Sequence, residues 1–244
     1  MSEKKRLIFK VNNLKKSYGS HTILKIRKLE IHPGTIYGLI GPIGSGKTTL
    51  LNLLAGCDNP GDGSILFDGE PFKLNWRGKI ITNNEIFFTG NPDHLKAGKV
   101  IREIITKFYG KKSNVIQKRY FDSGHYKQMW NRSVKHLTEG EKRWLDLVLA
   151  TESDPRVLLL DDYGVYLNQS MEQKFRTQLI RMNRNLGTTM ILAAPYEIFL
   201  KTFASVFIHL DNGHVSKIRS GVQLSLIHIS EPPRLGMSAY AVFC

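Results

Sequence analysis

Short apolar runs and longer amphipathic ones alternate along this chain. Residues 7–12 and Ile23 to Ile31 alternate as strands, with a turn at Tyr18-Gly19-Ser20 between them. Pro33-Gly34 turns the chain into Thr35 to Ile40, a short apolar strand. That strand runs into "GPIGSGKTT", and a helix over Thr48 to Ala55 follows, stopped by Gly56. A loop over Asn59 to Ser64 precedes the strand "ILFDGE", which ends in an Asp68-Gly69 turn. From about residue 92 to 136 the pattern becomes mainly helical, with Val100, Ile101, Ile104 and Ile105 at helical spacing. A helix over Thr138 to Ala150 comes next. Two continuous apolar strands of the buried parallel type, Val157 to Leu160 and Thr188 to Ala194, flank an amphipathic helix over Gln169 to Asn185. Val206 to Leu210, Asp211-Asn212-Gly213 and His214 to Ile218 read as a hairpin. This alternation predicts an α/β fold with a parallel sheet and right-handed crossovers.

Chemistry enters at Gly41. The spacing Gly41, four residues, then Gly46-Lys47-Thr48 is a phosphate-binding loop, and it lies between a strand and a helix as that motif requires. The glycines let backbone N–H groups curl around an oxyanion, and the helix N-terminus adds partial positive charge. The expected nucleotide-binding residues are Gly41, Pro42, Ile43, Gly44, Ser45, Gly46, Lys47, Thr48 and Thr49. Lys47 reaches for the β- and γ-phosphates, and the Thr48 hydroxyl is a Mg²⁺ ligand. "VLLLDD", Val157 to Asp162, is an apolar strand ending in acids, which places Asp161 to hold Mg²⁺ from the other side. ATP and Mg²⁺ are therefore the expected cofactors.

With both halves of the site in view, the chain resembles an ATP-binding cassette (ABC) ATPase, the motor subunit of ABC transporters. The resemblance covers about residues 7 to 221. It rests on "LKKSYGSHTILKIRKLEIHPGTIYGLIGPIGSGKTTLLNLLAG", "HLTEGEKRWLDLVLATESDPRVLLLDD" and "FIHLDNGHV". It implies a P-loop NTPase (RecA-like) core with a small antiparallel β layer and a helical subdomain, within an ABC domain over residues 5–221 whose helical part spans about 92–150. It implies that Tyr18 stacks on adenine, an alternative being a turn tyrosine packed on the sheet. It implies a head-to-tail homo- or heterodimer with two ATPs between subunits, a separate transmembrane permease as partner, and a cytoplasmic position on the inner face of the cell membrane.

Several positions depart from that family. The LSGGQ signature reads Leu137-Thr138-Glu139-Gly140-Glu141, and two carboxylates there repel a γ-phosphate unless they turn away. Thr138-x-x-Glu141 is also a capping box for the next helix, and both readings are compatible. The catalytic glutamate after Walker B is Asp162, one methylene shorter. A general base must lie within about 2.6–3.2 Å of its water, so Asp162 is expected to act slowly. Lys47 is the second residue expected to carry the reaction. The switch-histidine position is Pro195, which has no side-chain donor. Gly90 or Asn91 stands where the Q-loop glutamine belongs, and the D-loop reads Tyr166-Leu167-Asn168. The grip on nucleotide is retained, while most residues that sense or cleave the γ-phosphate are altered. Slow hydrolysis is the leading expectation. A non-hydrolysing nucleotide switch, or the degenerate half of a heterodimer, is the alternative.

Composition changes this picture little. Cys57 and Cys244 cannot build a disulfide framework, and no Cys/His cluster suggests zinc. No apolar run approaches the roughly 18 residues a spanning helix needs, and no signal peptide is visible. The net charge of +14 raises a third possibility, an ABC protein acting on nucleic acid or ribosomes. A single cassette, without a basic stripe interleaved with aromatics, argues against nucleic acid. After Gly221 the sequence "VQLSLIHISEPPRLGMSAYAVFC" has no period that joins the hairpin, and residues 222–244 read as a non-native tail.

Overall fold

The computed structural model describes residues 6–221, apart from 82, 91–93, 96, 97, 123 and 166, with side chains left undescribed at 125 and 170. Asn91, Tyr166 and the expected non-native tail therefore lie outside the described residues.

The elements follow in the order β1 (Phe9–Tyr18), β2 (His21–Ile31), β3 (Ile36–Ile40), α1 (Lys47–Leu54), β4 (Asp62–Phe67), β5 (Glu70–Pro71) and β6 (Ile86–Phe88). Then come α2 (Ile101–Tyr109), α3 (Ser113–Tyr120), α4 (Gly124–Met129), α5 (Glu139–Glu152), β7 (Val157–Leu160), α6 (Gln169–Leu186), β8 (Thr189–Ala194), β9 (Val206–Asp211) and β10 (His214–Ser220). A four-stranded antiparallel sheet has the order β2-β1-β4-β5, and a six-stranded sheet the order β10-β9-β3-β8-β7-β6. Strands β9, β3, β8, β7 and β6 are parallel to their neighbours, and β10 closes the edge as the antiparallel arm of the expected hairpin.

Strands β3, β7 and β8 are buried at every position, because they are covered on both faces. Leu158, Leu160, Met190, Leu192 and Ala194 face a core shared with α5 and α6. Val157, Leu159, Ile191 and Ala193 face the other core, where α1 inserts Leu50, Leu51, Leu53 and Leu54 against Leu14, Leu24 and Ile26 of the antiparallel sheet. Each of the larger of these side chains, leucine, isoleucine, valine or methionine, contributes about 1.5–3 kcal/mol on burial. This sandwich fixes α1, and the phosphate loop at its start, between two rigid sheets.

The helical lobe closes on Trp144 of α5, which stacks on Tyr126 at 4.3 Å and meets Phe121 edge-on at 5.0 Å. Backbone bonds from Ile101 to Arg132 and from Val134 to Lys99 tie its ends together.

The observed boundaries correct two expectations and add one strand. The first strand does not stop at residue 12 but continues through a bulge to Tyr18, with Asn13 at φ +47°. Thr138 stands before α5 as its cap rather than as its first residue. Ile86–Phe88 forms an edge strand of the large sheet, although three apolar residues carry too little period to be read as one.

Candidate nucleotide and metal site

Strand β3 delivers the chain to Gly41 at the end of the sheet. A Cβ at Gly41 would lie 2.2 Å from the carbonyl oxygen of Leu210, so β9 leaves room only for glycine there. Gly46 takes φ +99° at the N-cap of α1, a left-handed conformation natural to glycine. With no capping side chain, the first-turn N–H groups of α1 face the loop. Ile43, at the loop tip, is exposed, while Ser45 is buried under it.

Lys47 is only 8% exposed and lies along the loop, its ammonium donating to the carbonyl oxygens of Gly41 at 2.7 Å and Pro42 at 2.8 Å. Burial lowers its pKa, and Asp161 and Asp162 pull it back up. Thr48 donates its hydroxyl to Asp161 Oδ2 at 2.7 Å, which brings the two expected Mg²⁺ ligands into contact across the gap between α1 and β7. The Asp161 backbone N–H donates to Thr89 Oγ1 at 3.2 Å, which anchors the carboxylate from β6. Burial raises the Asp161 pKa, the Thr48 hydrogen bond lowers it, and the neighbouring Asp162 raises it again. A cation held between Thr48 and Asp161 would relieve that unfavourable burial of charge.

These groups fit MgATP. Among the described residues, no group of three or more His, Cys, Asp or Glu side chains is arranged to hold a metal ion alone. Mg²⁺ has no need of one, since it is held by one or two protein oxygens and the substrate phosphates.

The structure brings Asp162 beside this pair but engages it elsewhere. Its backbone lies in the left-handed region at φ +51°. Its side chain faces the guanidinium of Arg143 at 3.6 Å. Arg143 comes from α5, and the sequence reading missed it. The available signal was a basic residue two positions after Glu141, one turn into the helix.

Both carboxylates of the signature segment are paired, Glu141 within the helix cap and Glu139 at the exposed surface with Lys142. Glu141 Oε2 accepts from the Thr138 backbone N–H at 2.7 Å, and Thr138 Oγ1 accepts from the Glu141 backbone N–H at 3.3 Å, which completes the capping box. Glu141 Oε1 also accepts from Arg132 at 2.8 Å. Glu139 is neutralised by Lys142 at 2.7 Å. We expect Thr138→Ala to cost about 1 kcal/mol of stability, or roughly 2–4 °C in Tm. Thermal unfolding checks this, and an unchanged Tm would mean that the cap is idle.

Glu139, Lys142, Arg143 and Asp146 line a cleft of about 380 Å³ together with Thr48, Phe88, Thr89, Gly90 and Asp161 of the same chain. Tyr18 stands at the end of β1, 50% exposed, with its hydroxyl donating to Asp58 at 2.7 Å and the Lys16 ammonium 5.0 Å from its ring centre. Burial pushes the Tyr18 hydroxyl up to about 12, and Asp58 adds to that shift. Pro195 follows β8, and the adjacent Tyr196 is 69% exposed, with its ring in solvent. Asn168 caps α6 by accepting from the Met171 N–H at 2.9 Å, so its side chain serves the helix.

A phosphate loop on a two-sheet P-loop core, with a carboxylate-ended strand beside it and a helical lobe carrying the signature position, defines an ABC-type nucleotide-binding domain. The ABC transporter family profile matches residues 24–163. The chain belongs to the ABC transporter family and is the ATP-binding kind of subunit. A probable sulfate/thiosulfate import ATP-binding protein of Chlorella vulgaris is 28% identical over 221 residues, 88% of this chain and 92% of that one. A spermidine/putrescine import ATP-binding protein of Mesoplasma florum is 26% identical over 86% of this chain, which spans 61% of that protein. Among solved structures, a dimeric bacterial ABC transporter cassette superposes with TM-score 0.73 at 20% identity, over 87% of this chain and 98% of that one. An ATP-bound bacterial Atm1-family exporter gives TM-score 0.72 at 19% identity, over 88% of this chain and 39% of that one. Among the described residues no helix is long and apolar enough to cross a membrane.

Proposed function

We propose that this chain binds MgATP tightly, closes on a second cassette, and hydrolyses ATP slowly while driving a separate transmembrane permease from the cytoplasmic face. The observation that carries this reading is the Thr48–Asp161 hydrogen bond at 2.7 Å, next to a buried Lys47 at the mouth of a glycine cradle. In this reading the Gly41–Thr48 backbone and Lys47 hold the phosphates, Thr48 and Asp161 hold Mg²⁺, and Tyr18 carries adenine. Mg²⁺, when bound, neutralises charge on the β- and γ-phosphates. Asp162 is the base that takes the proton of the attacking water, and it must leave Arg143 to do so.

Support for the permease comes from the relatives, which are named as import ATP-binding proteins. The pairing of Asp162 with Arg143 and the proline at 195 also favour a second reading, in which ATP closes the dimer without being cleaved. Tyr18 tests the nucleotide assignment. Tyr18→Ala is expected to weaken ATP by the value of one stacked base, about 1–3 kcal/mol. Tyr18→Phe keeps the ring, loses only the Asp58 bond, and should bind nearly as well as wild type. Titration with a fluorescent ATP analogue checks both, and an Ala variant that binds like wild type contradicts the adenine platform.

A further inference from the structure

After β5 the chain forms an exposed hairpin that plays no part in the scheme above. A bridge between Leu74 and Ile80 joins its arms. The Asn75 N–H donates to the Lys79 carbonyl oxygen at 2.8 Å, and the Ile81 N–H to that of Lys73 at 2.8 Å. Asn75 Oδ1 accepts from the N–H groups of Arg77 at 2.9 Å and Lys79 at 3.0 Å, which sets the turn. The Asn59 side-chain amide donates to the Gly78 carbonyl oxygen at 3.2 Å and ties the tip to the loop after α1.

This ordered turn holds Trp76 in water, 85% exposed, the most exposed aromatic ring among the described residues. Leu74 and Ile81, on the two arms, are each more than half exposed. The Arg77 guanidinium lies 4.3 Å from the centre of the Trp76 ring. Lys73 and Lys79 are exposed beside it, and among the described residues no ion pair engages Lys73, Arg77 or Lys79. Residues 72–84 contain no acid at all, and Glu85, the next one, is paired with Arg156 at 2.8 Å.

An exposed apolar cluster of this kind marks a contact surface, and its size and charge select the partner. One tryptophan offers at most roughly 250 Å², and a stable protein interface needs roughly 800 Å² from each partner. A tip this narrow suits a shallow entry into lipid instead. Tryptophan rests at headgroup level, leucine and isoleucine reach the acyl boundary, and lysine and arginine are drawn to anionic headgroups. Single-stranded nucleic acid also takes aromatic rings and cations, but it uses successive rings along a groove. Here one ring stands alone, covered by Arg77 and flanked by aliphatic side chains.

We propose that this hairpin is a lipid-contact site, in which Trp76 enters the headgroup layer of an anionic bilayer and Lys73, Arg77 and Lys79 meet its phosphates. None of these four residues lines the cleft that holds Thr48 and Asp161, so the site is separate from the MgATP reading.

The test uses the full chain, without nucleotide or permease, and vesicles of phosphatidylcholine and phosphatidylglycerol in equal parts. The other two tryptophans, Trp130 and Trp144, are buried, so acrylamide quenching of fluorescence reports mainly on Trp76. Vesicles should shift the wild-type emission to the blue and shield it from acrylamide, and lipids brominated near the headgroup should quench it. Trp76→Ser should weaken binding in co-sedimentation about tenfold. Arg77→Glu with Lys79→Glu should weaken it about 30-fold or more, each cation near such a surface being worth about fivefold. Undiminished binding in either variant overturns the proposal, because it leaves only the general attraction of a chain of charge +14. Wild-type fluorescence that vesicles leave unchanged overturns it without recourse to any variant. Tighter binding to an oligothymidylate than to the vesicles overturns it as well, because it marks a nucleic-acid surface.

Discussion

Replacing Lys47 with alanine is expected to lower MgATP affinity by about 10²- to 10⁴-fold with the fold retained. The ammonium is held by two loop carbonyls, from Gly41 and Pro42, at 2.7 and 2.8 Å. Those bonds fix its position beside the cradle, so little conformational freedom is lost when phosphate arrives. Two charge-assisted bonds to β- and γ-oxygens are worth about 1.5–3 kcal/mol each, and every 1.4 kcal/mol is tenfold. Asp161 and Asp162 favour the charged form against the lowering effect of burial. Isothermal titration against MgATP measures the loss, and thermal unfolding of the same sample confirms the fold. Binding within a few-fold of wild type would contradict the assignment of Gly41 to Thr49 as the phosphate site.

The second large effect concerns turnover. Wild-type protein is expected to cleave ATP at about 0.1 s⁻¹ or below. A median enzyme turns over at about 10 s⁻¹, and a base misplaced by about 1 Å costs around a hundredfold. Asp162 is shorter than the glutamate the resemblance leads one to expect and faces Arg143 at 3.6 Å, and in the proposed site Pro195 would offer a γ-phosphate no donor. Asp162→Glu together with Pro195→His is expected to raise the rate about a hundredfold. The glutamate carries a cost, because position 162 sits at φ +51°, where Asp is tolerated better than longer side chains. A gain well short of a hundredfold would place the defect elsewhere, in Gly90 or the signature. A rate unchanged in the double variant would exclude these two positions as the limiting defects.

The loop proposed to grip nucleotide was readable in the sequence because it is local. Gly41 to Thr48 is one contiguous loop, and Val157 to Leu160 declares a doubly covered strand by being apolar at every position. The capping box at Thr138 and Glu141 is likewise written into adjacent residues. What could not be read depends on folding. Arg143 meets Asp162 only because α5 lies along the end of β7, and no short-range pattern encodes that meeting. Glu139 and Glu141 posed an electrostatic question that sequence could not settle, and the partners that answer it are Lys142, Arg132 and the Thr138 backbone. Strand β6 escaped notice because three residues do not make a period, although it positions Thr89 behind Asp161.

The central claim is that binding and cleavage are uncoupled in this chain, with the first strong and the second weak. The most direct measurement mixes excess wild-type protein with limiting γ-labelled ATP and Mg²⁺, then quantifies bound nucleotide and released phosphate in the same samples over time. The account predicts that nearly all the ATP is bound at the outset and that phosphate appears at about 0.1 s⁻¹ or slower. Release near or above about 10 s⁻¹, or ATP that stays unbound, would contradict it.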